Sequence, residues 1–239
     1  MYMEQIITVI IPTFKVSKHI NKVIKTLPNF IDNIIVIDDF CPDKSYSFIS
    51  NMNKVNIIHH THNKGVGGAV ISGYIQALKI NSDIIIKIDG DGQMNPLYIE
   101  NLITVLIDNK LDYAKGNRFF NLEIFNKMPL PRLIGNLGLS FIVKVVSGYY
   151  GIKDPTNGFT AISKQTLIDL DFSKLANRYF FETDMLINLN ILNKKVKDVN
   201  IPAIYEDEES NLSVINSLVT FPLKLIKGFF KRIYYKYIS

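Results

Sequence analysis

The 239-residue sequence predicts an α/β fold, in which a Rossmann-like, mostly parallel sheet is flanked by helices. In the first half of the chain, short runs rich in Ile and Val alternate with helix-length amphipathic segments. Continuous apolar runs are typical of strands buried on both faces, and their alternation with helices is typical of a parallel sheet. No Pro-, Gly- or Ser-rich linker divides the chain, which favours one globular domain.

The predicted elements follow in order along the chain. The apolar pattern predicts strands at 6–11, 33–39, 55–59, 83–89, 112–117, 158–163 and 196–201. It predicts helices at 17–27, 44–53, 67–80, 133–147 and 183–192. Ser17 is the predicted N-cap of the first helix. A helical tail from residue 212 onward is expected to be interrupted at Pro222.

Composition restricts the classes of function. Cys41 is the only cysteine, so no intrachain disulfide can form and a reducing, cytosolic compartment is expected. No secretory signal is expected, and no uncharged apolar run reaches the roughly 18–20 residues that span a bilayer. The net charge of +5 comes from 210–239, which contains five basic and no acidic residues. We therefore expect no general nucleic-acid-binding surface.

The strongest chemical motif is Asp89-Gly90-Asp91-Gly92-Gln93, which follows a predicted buried strand. Two carboxylates one residue apart can share a hard divalent cation, which prefers oxygen ligands. That cation would bind a diphosphate and neutralise charge on the departing nucleotide. The alternative is an Asp-Gly turn on the surface.

A Gly-rich turn at 63–69 opens the third predicted helix. Its backbone N–H groups can approach a phosphate, while close packing of small residues at a helix start explains the pattern equally well. Asp38 and Asp39 end the second strand, where they either accept hydrogen bonds from a nucleobase or ribose or simply open a loop.

Four charged residues of the second half have candidate roles. Arg118 and Arg132 suit bidentate binding of phosphate, although a solvated position is the usual fate of an arginine. Glu182 and Asp184 begin a helix after an aromatic run. Either acid could serve as a general base, or both could complement the helix dipole.

Taken together, these motifs resemble the family 2 glycosyltransferases of GT-A fold, in particular the dolichyl- and polyprenyl-phosphate sugar synthases. The matching segments, in order, are 11–14, 36–39, 63–69, 89–93, 116–118, 154–159 and 181–184. Each motif is weak, but seven in the right order are specific. The sequence departs from the family at Lys15-Val16 and Phe40-Cys41, near the expected base pocket, and at Thr160 on the acceptor side.

The resemblance implies a nucleotide-sugar donor, Mg²⁺ or Mn²⁺ as cofactor, and roles for named residues. The implied donor-binding residues are Pro12, Thr13, Phe14, Asp38, Asp39, Asn63, Lys64, Gly65 and Asp89. The implied metal ligands are Asp89, Asp91 and Gln93, and the implied acceptor-phosphate residues are Arg118 and Arg132. The implied catalytic residues are Asp91, Glu182 and Asp184, with one of the last two as the acceptor-side acid.

The predicted function is inverting transfer of a hexosyl unit to polyprenyl phosphate by a GT-A domain at 1–210. The tail at 211–239 interleaves basic and apolar residues, so it is expected to lie on an anionic membrane at the cytoplasmic face. A core-packing helix is the alternative for the tail. Three other functions stay open: transfer to a hydroxyl of a lipid-linked glycan in surface polysaccharide synthesis, a nucleotidyltransferase, and a catalytically silent module that binds a sugar-nucleotide or lipid.

Overall fold

The computed structural model describes residues 4–119, 130–202 and 214–238, and within these it describes no side chains at 130–137 or 214–220. The strands are β1 (Ile7–Thr13), β2 (Asn33–Asp38), β3 (Val55–His59), β4 (Ile84–Lys87), β5 (Tyr113–Asn117), β6 (Thr160–Ser163) and β7 (Val196–Asn200). The α-helices are α1 (Ile20–Lys25), α2 (Gly65–Lys79), α3 (Ile99–Asp108), α4 (Leu130–Ser147), α5 (Lys164–Asp169), α6 (Phe181–Ile191) and α7 (Val214–Ile233).

The described strands form one sheet in the order β3-β2-β1-β4-β6-β5-β7. The first four strands of this order run parallel to one another, β6 is antiparallel to β4 and β5, and β7 is parallel to β5. This arrangement confirms the predicted α/β class and the mostly parallel sheet. The predicted strand at 158–163 is thus the antiparallel member.

Both faces of the sheet are covered by helices. Alternate residues of β1 enter different apolar clusters, because successive side chains of a strand point to opposite faces. Val9 and Ile11 join residues of α1 and α3, whereas Ile10 joins residues of α2, α4 and α6. The carboxyl ends of the parallel strands are left as the uncovered edge.

Two predictions in the first half of the chain differ from the structure, and one helix there was not predicted. Ser17 does not cap α1, because its backbone N–H donates to Asp43 and the helix begins three residues later. The predicted helix at 44–53 is only a 3₁₀ turn at Ser45–Phe48. Helix α3 was not predicted, although Asn95 accepts a hydrogen bond from Leu97 just before it and its apolar residues recur at helical spacing.

The C-terminal helix α7 packs against α4 and α6. It continues through Pro222, so the predicted interruption is wrong. Packing holds it in place: Leu225 is buried, and a side chain at Gly228 would collide with Ile187 of α6. The predicted domain boundary at 210/211 lies outside the described residues. No helix in the described ranges is both long and apolar enough to cross a membrane.

Candidate active site

The uncovered edge of the sheet brings the predicted strand-end residues together. Thr13 and Asp38 are register partners at the ends of β1 and β2, and the Asp39 N–H donates to the Thr13 carbonyl (3.2 Å). Gly90, just after β4, lies against Val16 and Thr13, at distances that leave little room for a side chain. The sequence therefore folds the first, second and fourth predicted strand ends into one site.

Asp89 and Asp91 form the open part of this edge. The Asp89 side chain is 29% exposed, and its Oδ1 lies 2.9 Å from Lys87 Nζ. The Asp91 Oδ1 accepts a hydrogen bond from the Gln93 N–H (3.0 Å). Gly92 has φ +82°, a left-handed conformation that glycine adopts without strain, so the loop can fold back after Asp91.

The chemistry of this loop fits a hard divalent cation. Mg²⁺ and Mn²⁺ prefer oxygen ligands, and Mg²⁺ is usually held by one or two carboxylates together with substrate phosphates. In the described ranges no group of three or more His, Cys, Asp or Glu residues is arranged to hold a metal ion. Asp89 and Asp91 are two carboxylates of the type that holds such an ion together with substrate phosphates.

Asp38 and Asp39, by contrast, are buried and bound by the protein. Asp38 accepts hydrogen bonds from the Cys41 N–H (3.0 Å) and pairs with His59 Nδ1 (3.0 Å). Asp39 accepts from the N–H groups of Lys64 and Gly65, both at 2.8 Å. It also contacts His60 Nδ1 (2.7 Å), so its oxygens are largely committed.

The Gly-rich turn is used mainly for packing. The Gly68 N–H donates to the Asn177 carbonyl (2.9 Å), and side chains at Gly65 or Gly67 would collide with the 176–178 segment. Gly65 also has φ +82°. Of the two interpretations of this turn, the structure favours close packing at the helix start.

Two buried lysines hold Glu182. Lys87 in β4 and Lys115 in β5 are 2% and 0% exposed. Lys87 Nζ donates to Glu182 Oε1 (3.2 Å), and Lys115 Nζ donates to Glu182 Oε2 (3.3 Å) and to the Asn157 carbonyl. Burial lowers the pKa of Lys87, but the nearby Asp89 and Glu182 carboxylates outweigh this and raise it. Lys87 thus links Glu182 to Asp89.

Sequence reasoning missed this network, although a signal was present. Lys87 interrupts the apolar run at 84–88, and Lys115 lies in the middle of the predicted strand at 112–117. A buried ammonium needs carboxylate or carbonyl partners. Two lysines in strands that are predicted to be buried therefore predict a buried acid that contacts both ammonium groups.

Asp184 lies on another side of α6, because residues two apart on a helix do not face each other. Its carboxylate accepts a hydrogen bond from the Ala176 N–H (2.8 Å) and lies 3.5 Å from Lys231 Nζ of α7. Burial raises the pKa of Asp184, and Lys231 and the Ala176 N–H offset only part of that effect. The two candidate acids are thus separated, and only Glu182 joins the network of Asp89.

The two predicted acceptor arginines lie in different parts of the fold. Arg118 follows β5 and forms a bidentate pair with buried Asp154, at 2.7 Å from Nε and 3.0 Å from Nη2. Its side chain is still 35% exposed. Arg132 lies in α4, but its side chain is outside the described residues.

An open cleft of about 500 Å³ adjoins the metal motif on the α1 side. It is lined by Lys15, Ser17, Lys18, His19, Pro42 and Asp43. Burial disfavours charge on Asp43, but hydrogen bonds from Cys41, Ser45 and Ser17 outweigh burial and lower its pKa. The departure at Lys15 therefore lies in the wall of this cleft, while Phe14 before it and Phe40 are exposed.

Comparison with known proteins decides the family. Residues 8–171 match the model of Glycosyl transferase family 2. The chain belongs to this family. The GT-A fold is shared with glucosyl-3-phosphoglycerate synthase from Mycobacterium tuberculosis, solved with Mn²⁺, UDP and phosphoglyceric acid, at a TM-score of 0.72 and 16% identity. That match covers 97% of this chain and 79% of the other.

Several relatives of the chain are named for transfer to lipid phosphates. A UDP-N-acetylglucosamine–dolichyl-phosphate N-acetylglucosaminyltransferase from Methanococcus voltae is 35% identical over 85% of this chain and 88% of its own length. A polyprenol monophosphomannose synthase from Mycolicibacterium smegmatis is 24% identical over 86% of this chain and 79% of its own. The resemblance to the polyprenyl-phosphate branch is confirmed, and the chain is a glycosyltransferase.

Proposed function

We propose that the chain is a Mg²⁺- or Mn²⁺-dependent transferase that moves a hexosyl unit from a nucleotide-sugar to polyprenyl phosphate, with inversion at the anomeric carbon. One observation carries the choice of acceptor: both candidate base residues are already bound by protein groups. Glu182 is held by Lys87 and Lys115, and Asp184 by Ala176 and Lys231. A sugar hydroxyl needs a base to take its proton, whereas an ionised phosphate can attack without one.

The donor would lie at the uncovered sheet edge. Asp89 and Asp91, with Gln93 beside them, would hold the metal ion, which stabilises negative charge on the departing nucleoside diphosphate. Pro12 and Thr13 end β1 at the same edge, and exposed Phe14, the next residue, offers an apolar face to a base. The M. voltae relative is named for UDP-N-acetylglucosamine, which makes that compound the first donor to test.

The acceptor phosphate would meet Arg118. The guanidinium is oriented by Asp154 and remains partly exposed, so it can present N–H groups to an anion while its pair fixes its direction. Arg132 stays a second candidate on the basis of the resemblance alone.

The exposed face of α7 and of the π-helical turn that follows it at Tyr234–Ile238 would rest on the membrane. Leu223, Ile226, Phe230, Tyr234 and Tyr237 recur at helical spacing, and all are more than half exposed. Three of the five basic residues predicted to face lipid are used inside the protein instead: Lys231 binds Asp184, Arg232 binds the last carbonyls of α4, and Lys236 binds Asn190. Exposed Lys224 and Lys227 remain to contact anionic headgroups.

The acceptor test is release of nucleoside diphosphate from a panel of UDP- and GDP-sugars, with Mn²⁺ or Mg²⁺. Each donor is tested with a short polyprenyl phosphate and with the matching polyprenol, which lacks only the phosphate. We expect release to be stimulated by the phosphate and not by the alcohol. Stimulation only by a lipid-linked glycan would instead support a hydroxyl acceptor, and donor binding without turnover on any acceptor would support a silent binding module.

The membrane test is co-sedimentation with vesicles of neutral lipid, with and without an anionic lipid. We expect binding that increases with the anionic fraction and is lost in Phe230→Glu. Phe48→Glu is the matched control, because Phe48 is similarly exposed but lies in the 3₁₀ turn after β2. Equal losses in the two variants would contradict the assignment of this face.

A further inference from the structure

Lys87 lies two residues before Asp89, inside the central strand β4. Its neighbours in the strand are isoleucines, and its own exposure is 2%. Its ammonium contacts Asp89 Oδ1 at 2.9 Å and Glu182 Oε1 at 3.2 Å. An ammonium buried at the end of a central strand is costly unless it is paired, so both carboxylates are needed to keep it there.

Space is reserved for this contact by Gly158. A side chain at that position would collide with Lys87 Nζ and would also crowd Asp89 Oδ2. Gly158 has no positive φ, so its small size is used for room rather than for backbone conformation. The fold therefore leaves a gap in which Lys87 and Asp89 can meet.

Lys115 provides an internal comparison. It is 0% exposed and binds the other oxygen of Glu182, but its remaining partner is the Asn157 carbonyl rather than Asp89. The two lysines thus share burial, charge and Glu182. They differ in contact with the metal motif.

We propose that Lys87 is a positioning residue that occupies the Asp89 carboxylate until metal and donor bind together. This inference rests on the proposed metal dependence. An ammonium 2.9 Å from Asp89 repels a divalent cation that approaches the same carboxylate. The negative diphosphate of a nucleotide-sugar offsets that repulsion. The site therefore binds the metal ion far more tightly when the nucleotide diphosphate is present than when the ion binds alone.

The test measures Mn²⁺ binding by the donor-free protein, using the electron paramagnetic resonance signal of free Mn²⁺. Wild type, Lys87→Met and Lys115→Met are compared, each with and without UDP. We expect Lys87→Met to bind Mn²⁺ alone about tenfold or more tightly than wild type, because a positive charge next to Asp89 is gone. We expect UDP to strengthen Mn²⁺ binding less in Lys87→Met than in wild type. Lys115→Met should stay within about threefold of wild type, since its charge lies farther from the ion.

A second pair of variants keeps the test possible if Lys87→Met or Lys115→Met does not fold. Lys87→Met with Glu182→Gln removes one cation and one anion together, which leaves less uncompensated buried charge. Its control is Lys115→Met with Glu182→Gln. The same difference in Mn²⁺ affinity is expected between these two proteins.

Each outcome supports or overturns the inference. Unchanged Mn²⁺ affinity in Lys87→Met, or an equal increase in Lys115→Met, would overturn it while metal-dependent turnover by wild type left the proposed function standing. No Mn²⁺ binding by any of the proteins, even with UDP, would overturn the metal dependence and this inference with it.

Discussion

Two pairs of carboxylates lie at the ends of β2 and β4, the strands on either side of β1. The pairs are similar in sequence pattern but differ in burial and in hydrogen-bond partners. Asp38 and Asp39 after β2 are 5% and 3% exposed and accept hydrogen bonds from backbone N–H groups and histidines. Asp89 and Asp91 after β4 lie in a partly exposed loop. The first pair is held by groups of the buried fold, whereas the second pair lies closer to solvent.

This difference shows that position at a strand end does not by itself define a ligand site. Asp39 satisfies the first N–H groups of the segment that opens α2, so its charge is used where a helix N-terminus needs an acceptor. Asp89 is instead paired with the ammonium of Lys87, and its side chain is 29% exposed. The two pairs therefore differ in burial and in the groups that hold them.

The largest expected effect is on activity, at Asp91. Asp91→Asn should lower glycosyl transfer about 10³-fold or more, because the nucleoside diphosphate leaves without its metal ion. Its free energy of unfolding should change by less than about 0.5 kcal/mol, as is usual for partly exposed sites. Steady-state kinetics and urea unfolding measure the two quantities. A large loss of stability with little loss of activity would reverse the comparison between the pairs.

The next effect is on stability, at Asp39. Asp39→Asn replaces one acceptor oxygen by a donor that faces a backbone N–H, which should cost about 2–3 kcal/mol of unfolding free energy. Urea denaturation measures this, with Asp108→Asn, at an exposed acid that ends α3, as control. An unchanged unfolding free energy with a raised KM for the donor would instead give Asp39 the nucleotide-binding role that the resemblance implies.

A third carboxylate, that of Asp198 in β7, is hydrogen-bonded through only one of its two oxygens in the described part of the chain. Its Oδ2 accepts from the Lys153 N–H (2.6 Å), while its buried Oδ1 has no partner in the described part of the chain. Burial raises the pKa of Asp198 from 3.8 to about 6, and the Lys153 N–H and Lys115 offset this only in part.

The sign of the resulting pH dependence follows from that raised pKa. Because folded Asp198 holds its proton more tightly than unfolded Asp198, ionisation destabilises the fold, and this loss is relieved as the pH falls from about 6 to about 4. Asp198→Asn should therefore be more stable than wild type at pH 7 by up to about 3 kcal/mol and nearly equal at pH 4. Thermal unfolding across this range measures the difference. A constant difference at all pH values would contradict the assignment.

Much of the first half of the fold could be predicted because local signals and tertiary structure agree there. Apolar runs predicted β1, β2 and β4, and the polar residues after these runs predicted the edge of the sheet at which the candidate site lies. Helix α3 was also predictable, because its apolar residues recur at helical spacing: Ile99, Leu102, Ile103 and Leu106.

Other features depend on contacts between distant residues. The Gly-rich turn packs because the 176–178 segment lies against it, more than a hundred residues away in sequence. Pro222 does not break α7 because the helix is held by α4 and α6. The division of Glu182 from Asp184, and the linkage of Glu182 to Asp89, required knowing where Lys87, Lys115 and Lys231 lie.

The most direct measurement is formation of the lipid product itself. Wild type and Asp91→Ala are incubated with UDP-N-acetylglucosamine, the other panel donors, Mn²⁺ and a short polyprenyl phosphate, and the extracted lipid is analysed by mass spectrometry. We predict a polyprenyl-phosphate-linked sugar that forms with wild type, disappears with chelator and is absent with Asp91→Ala. Equal product from Asp91→Ala, or product that persists without a divalent ion, would contradict the assignment of the Asp89–Asp91 loop as the metal and donor site.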